Sequence, residues 1–323
     1  MTATTTFCRP GPATKFPGIS KFLKGYVLGI PDWETEDLAR LKRYAAEGGF
    51  KYSGPDGTLW TYSLADAESD LTRVGLSLRW HAIQACMKGE NGFNGLLQRS
   101  AAYEYWGLRA AHRFDTFRLQ DFRAGKRPQY LPFLRLRSAV SSLAHVFLMG
   151  WNDWAEAMNR WILTALGNGG YFDADDTSHP RTQFFVLGLL SSHFGLDLPV
   201  NPAFAQDEPI YEYLRKQWRA DDPSGLTEAL LAALDRHTHQ SVRSKRNGPA
   251  FDLPFDSDWY FPYEVLVVLR LREMAGLDTP SAEALAHPLT RTPLGQLPPL
   301  TPVYSEDTLD GVVRRLREEF ADV

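Results

Sequence analysis

The chain has 323 residues, 44% hydrophobic and 23% charged, with a net charge of -4 and a pI near 6.1. That length allows one large domain or two of ordinary size, and the composition excludes a disordered chain and a global basic footprint for nucleic acid. Two cysteines, Cys8 and Cys86, are too few for a disulfide framework or a cysteine-rich zinc site and fit a reducing compartment. The opening residues, Met1-Thr2-Ala3-Thr4-Thr5-Thr6, have neither a basic nor an apolar leader region, and no apolar run reaches membrane-spanning length. A cytoplasmic protein without membrane association is expected.

In chain order, residues 1–32 carry Pro10, Pro12, Pro17 and Pro31 with several glycines and predict an extended N-terminal arm, tacked down by side chains such as Phe16 and Phe22. A short helix follows over 34–46 and Gly48-Gly49 stops it. Residues 50–62 then alternate around Gly54-Pro55-Asp56-Gly57, the signal for a small β-hairpin. From Leu64 the periodicity is helical. Helices are predicted over 64–88 and 93–122, the second with Leu97, Tyr103, Trp106, Ala110, Phe114 and Phe117 at helical spacing. An αα-hairpin follows over 131–149 and 153–166. The glycine-rich, acidic loop after Gly167 divides an N-terminal helical half (33–170) from a C-terminal half (171–323). In the latter, helices are expected over 184–194, 211–218 and 226–236, then a polar, irregular stretch from His237 to Phe255. A further short helix is expected from Asp278-Thr279-Pro280. Prolines 288, 293, 298, 299 and 302 predict an extended crossing segment over 287–304, before an amphipathic helix capped by Ser305. The fold class expected is all-α: antiparallel helical hairpins in a helical-repeat-like bundle, without a fixed repeat, and one small N-terminal β-hairpin.

The stretch Trp259–Leu277 organises the C-terminal half. Pro262 suits a helix start, Gly276 suits the left-handed residue that ends one, and only Glu264, Arg270, Arg272 and Glu273 interrupt its apolar character. A helix this apolar is covered on more than one side.

Candidate chemistry is sparse. His237 and His239, with Asp252, Asp256 and Asp258, offer a metal-dependent helical enzyme as one reading, but the four-residue histidine spacing of helical zinc sites is absent and no metal or other cofactor is expected. Asp66, Glu68 and Asp70 read as carboxylates at a helix start, where the dipole favours them. The glycines 167, 169 and 170 lack the lysine of a phosphate loop, and the basic stretch Arg243–Asn247 lacks interleaved aromatics, so no nucleic-acid partner is expected. The acidic-aromatic loops remain: Tyr171 to Asp176, and Phe251 to Phe261. Either their carboxylates and rings face a partner, or the rings are core and the carboxylates are helix caps. On the first reading the partner-binding residues are Asp173, Asp175, Asp176, Asp256 and Asp258, with Trp259 nearby.

Phe261-Pro262-Tyr263-Glu264-Val265-Leu266, continuing through Leu269-Arg270-Leu271-Arg272 to Gly276-Leu277, resembles the C-terminal helix signature of PoNi-type bacterial immunity proteins. Those proteins protect against secreted polymorphic toxins, including type VI secretion effectors. The resemblance covers about Asp252 to Leu277. It implies a non-enzymatic protein that binds one cognate toxin and blocks its active site. A metal-dependent enzyme and a helical scaffold are the alternatives, and a homo-oligomer is compatible with all three.

Overall fold

A computed structural model describes residues 9–14, 16, 33–53, 57–174, 180–199, 208–243 and 251–320. Within these residues lie ten α-helices and one two-stranded antiparallel sheet. In order they are α1 (Trp33–Glu47), β1 (Phe50–Ser53), β2 (Leu59–Tyr62), α2 (Leu64–Met87), α3 (Phe93–Arg123), α4 (Leu136–Leu148), α5 (Asn152–Gly167), α6 (Arg181–His193), α7 (Pro209–Gln217), α8 (Ser224–Gln240), α9 (Tyr263–Met274) and α10 (Asp307–Glu319). The fold is all-α with one small hairpin, as the periodicity predicts. None of the described helices is long and apolar enough to cross a membrane. Most of the expected arm over 1–32, the hairpin tip at 54–56, the 200–207 connection and most of the basic stretch (244–247) lie outside the described residues.

The chain forms two compact units. One takes Leu23–Leu134, Asn168–Phe172 and Thr301–Val323; the other takes Met1–Phe22, Arg135–Gly167 and Asp173–Leu300. The division expected at residue 170 differs from this, because α4 and α5 go with the later helices while α10 goes with the earlier ones.

In the first unit the hairpin register pairs Phe50 with Tyr62, whose rings stack at 4.7 Å. Ser63 opens α2, and its N–H donates to the Asp66 carboxylate at 2.8 Å, so Asp66 serves the helix start as expected. Asp70 does not. It is buried, accepts the Tyr62 hydroxyl at 2.8 Å and Arg40 Nε at 2.8 Å, and belongs to a cluster with Asp37 and Arg73. Helices α2 and α3 pack at van der Waals limit. A Cβ on Gly75 would sit 2.5 Å from Glu104 Cγ, and one on Gly107 would sit 2.6 Å from Thr72 Oγ1. Glycine at both positions lets the backbones approach and the buried Arg79–Glu104 pair form beside them. Helix α10 lies against α1 in the same way, with Gly311 facing Ala45.

In the second unit every residue of α9 from Tyr263 to Arg272 is buried. Pro262 is the N-cap, and the C-terminus closes as a Schellman motif. Gly276 has φ +67°, its N–H donates to Glu273 O at 3.0 Å, and Leu277 N–H donates to Arg272 O at 2.9 Å. Four predictions about element bounds are corrected, the last of them on α10 of the first unit. The αα-hairpin begins at Leu136 and not at 131, because Leu131 precedes Pro132 and is biased out of the helical region. Helix α8 continues through His237 to Gln240, where loop was expected, because His237 and Thr238 find buried partners there. Asp278 to Pro280 opens no helix, and the N-cap of α10 is Glu306 rather than Ser305. Truncating Leu266 to Ala, at a fully buried site of α9, should cost about 2–5 kcal/mol in chemical denaturation. A loss below about 1 kcal/mol would show that α9 is not a core helix.

Candidate functional site

Helices α8 and α9 bring the unit's titratable side chains together. Four consecutive residues of α8, Asp235, Arg236, His237 and Thr238, are all buried, so the helix has polar contacts around its circumference. His237 lies with Nδ1 2.8 Å from Glu264 Oε1 of α9, and its Nε2 lies 3.1 Å from the Trp259 carbonyl oxygen. A carbonyl only accepts, so Nε2 carries a proton, and one further proton sits between Nδ1 and Oε1. The pair is therefore neutral overall whichever partner holds it, which is how both groups tolerate full burial.

Arg236 sits on the neighbouring side. It donates to Glu208 Oε2 at 2.6 Å, Asp252 Oδ2 at 2.7 Å and Thr182 Oγ1 at 3.1 Å, and it stacks 4.9 Å from the centre of the Tyr211 ring. Asp252 also accepts the Thr182 backbone N–H at 3.2 Å, in the first turn of α6. On the far side Asp235, fully buried, accepts Arg9 Nε at 3.0 Å and faces His287 Nε2 at 3.3 Å. Burial holds His287 below the usual imidazole range, so it is neutral at pH 7; its Nδ1 accepts the Leu289 N–H. The described part of the N-terminal arm is tied down here. Besides Arg9, the Ala13 N–H donates to Thr238 Oγ1 at 2.8 Å, His239 Nε2 donates to Gly11 O at 3.0 Å, and the Phe16 ring lies 5.2 Å from Tyr260.

The two histidines of the metal reading thus do not converge. Two positions apart on a helix they point to opposite faces, His237 into the core and His239 outward. Among the described residues no group of three or more His, Cys, Asp or Glu side chains is placed to hold a metal ion.

The predicted partner-binding residues are dispersed. Asp173 is buried at the N-terminus of α4, accepting the Leu136 N–H at 2.6 Å and pairing with Arg137 at 3.3 Å. Asp258 is buried and accepts the Ser141 hydroxyl at 2.9 Å. Asp256 is buried beside it and takes the exposed Arg243 guanidinium at 2.6 Å. Trp259 is 8% exposed, with its indole N–H donating to Leu253 O at 2.9 Å. The expectation that these four side chains face outward is corrected: the Trp259 ring packs in the core, and the carboxylates answer the start of α4, the buried Ser141 hydroxyl and the Arg243 guanidinium. Asp175 and Asp176 lie outside the described residues. Sequence reasoning passed over Asp235, Arg236, Glu264 and Arg9. The signal was present in Glu264, a lone acid at the start of an apolar helix, which burial obliges to have a partner.

A cleft of about 460 Å³ between α6 and α7 is lined by Phe184, Phe185, Ser191, Tyr211, Glu212 and Arg215 among others, and takes in none of the predicted residues. No family model, curated protein or solved structure matches the chain.

Removing one member of a sealed pair strands the other, so Glu264→Ala should destabilise the fold by about 3–5 kcal/mol. Glu264→Gln, which keeps a hydrogen-bonding group opposite Nδ1, should cost clearly less; equal losses would mean that packing and not pairing matters at this position. Asp256 gives a pH test. Burial, then the Asp258 charge, push its carboxyl up to about 7, while Arg243 pulls the other way from an exposed position where solvent weakens it. A carboxyl raised on folding stabilises the native state below its unfolded range near pH 4 and loses that contribution as pH rises to about 7. The stability of the wild type relative to Asp256→Asn should fall across that window and level off above it. A flat difference would show that Arg243 holds Asp256 ionised throughout.

Proposed function

We propose that this chain is an immunity protein that binds one cognate antibacterial toxin and occludes its active site, without catalysing a reaction of its own. The observation that carries this reading is the state of the residues on which the family resemblance rests. Phe261, Tyr263, Val265 and Leu266 pack in the core, Glu264 is spent on His237, and Gly276-Leu277 closes the helix. Arg270 and Arg272 are buried as well. Arg270 donates to Leu148 O at 2.9 Å and to Pro298 O; Arg272 donates to Trp218 O at 2.6 Å and Ala220 O at 2.8 Å. They satisfy carbonyls left open at the ends of α4 and α7. Such residues specify a scaffold, and a scaffold with its titratable groups sealed inside suits a protein whose work is done by surface complementarity.

Co-expression is the test. Cells making the product of a neighbouring toxin gene should die, cells also making this chain should survive, and the two purified proteins should form a stable complex that dissociates intact. The proposal is lost if no neighbouring gene product is toxic when expressed alone, or if the toxin is consumed catalytically at substoichiometric amounts of this chain.

A further inference from the structure

Asp235, Thr238 and His239 stand at positions i, i+3 and i+4 of α8 and share one face, and the described residues of the N-terminal arm lie along it. Each contact asks for a particular residue. Arg9 meets Asp235 side-on, Nε to Oδ2 at 3.0 Å and Nη2 to Oδ1 at 3.5 Å, the two-point geometry of a guanidinium on a carboxylate. Gly11 accepts from His239 Nε2 at 3.0 Å and has φ +73°, where any side chain is strained. Ala13 donates its N–H to Thr238 Oγ1 at 2.8 Å, and the Phe16 ring lies 5.2 Å from that of Tyr260. Between these contacts Pro10, Pro12 and Thr14 are exposed, so alternate residues face the protein. The prolines lack an N–H only where the face has no use for one. Asp235 is fully buried, and Arg9 is its one cationic partner among the described residues. His287 does not replace it. Its Nδ1 accepts the Leu289 N–H, so Nε2 carries the hydrogen facing Asp235 and no ring nitrogen is free to take a second proton.

We propose that this face of α8, with Tyr260, is a recognition site for an extended peptide headed by arginine, and that the N-terminal arm is its ligand in cis, a strap that docks and releases separately from the rest of the fold. The head group is a guanidinium because both oxygens of one carboxylate are engaged from one side, which the point charge of an ammonium does not match. Two prolines stiffen the segment, so less conformational entropy is lost when it docks. Release is local because the strap is lightly held. Among the described residues it has one ion pair, two further hydrogen bonds to α8 and one ring contact, and water reaches the latch, since the Arg9 side chain is 31% exposed. Segments with so few buried contacts open well below the global unfolding free energy. The assignment does not rest on the function proposed above.

The test uses the full chain with Arg9→Ala, which vacates the socket, and as probe the acetylated peptide Arg9-Pro10-Gly11-Pro12-Ala13-Thr14-Lys15-Phe16. The wild type carries the same ligand at an effective concentration on the order of millimolar, so its own arm excludes the free peptide. The peptide should bind the variant saturably, and about tenfold or more tightly than it binds the wild type. A peptide with lysine in place of Arg9 should bind the variant about tenfold or more weakly than the arginine peptide does. The proposal is overturned if a folded variant shows no saturable binding, if the arginine and lysine peptides bind it equally, or if wild type and variant bind the peptide equally. A second measurement covers the case in which Arg9→Ala does not fold, because an empty socket leaves a buried charge. In full-length Asp235→Asn the Ala13 amide should exchange about tenfold or more faster than in the wild type, while the amides of Leu266 to Leu271 keep their protection. Unchanged exchange at Ala13, or equal acceleration at Ala13 and in α9, shows that the arm is framework and not a displaceable ligand.

Discussion

The contact between His237 and Glu264 is the constraint around which its unit is arranged. Each group has no exposed surface, and each would be costly alone in that environment. The imidazole can sit there only if α8 and α9 lie at one distance and one rotation, with the Trp259 carbonyl supplying the second acceptor. That requirement fixes the short 3-10 turn Asp256–Asp258 and the bend at Pro262, and so the start of α9. Toward its end the same helix carries Arg270 and Arg272, whose buried guanidiniums close carbonyls at the ends of α4 and α7. An apolar helix of twelve residues thus carries polar fasteners at both ends, and the packing between them needs only shape.

The N-terminal arm belongs to the same logic. Asp235 is fully buried on α8 next to His237, and the neutral His287 does not neutralise it. Its countercharge comes from Arg9, more than two hundred residues earlier in the chain. A buried carboxylate that depends on a cation from a terminal segment ties that segment to the fold much as a bound ligand would be tied. The segment's backbone contacts to Thr238 and His239 then hold its register along α8.

Helical periodicity alone revealed most of the architecture: α2, α3, α5 and α10 fall close to where apolar spacing puts them, and aromatic alternation gave away the hairpin. The misplacements have a common cause. Local propensity reads His237-Thr238-His239-Gln240 as loop, whereas buried partners make it the last turn of α8. Leu131 to Arg135 looks like helix from its apolar spacing, yet Leu134 forms a β-bridge with Tyr171. Carboxylates were the least legible groups. Asp173, Asp252 and Asp258 are indistinguishable in sequence from solvated loop acids, and only the arrival of Leu136, Thr182 and Ser141 from elsewhere in the chain turns them into internal acceptors.

The histidine-carboxylate core of α8 and α9 is sealed framework, and on the function proposed above the work of binding falls to the surface. Native-state hydrogen exchange addresses this most directly. If the core is framework, amides of Leu230 to His237 and of Leu266 to Leu271 should exchange only through global unfolding, with the highest protection in their unit and denaturant dependence equal to that of the whole. If instead these amides exchange through a local opening well below the global free energy, the His237–Glu264 pair is periodically accessible. In that case the reading of α8 and α9 as a closed scaffold is wrong.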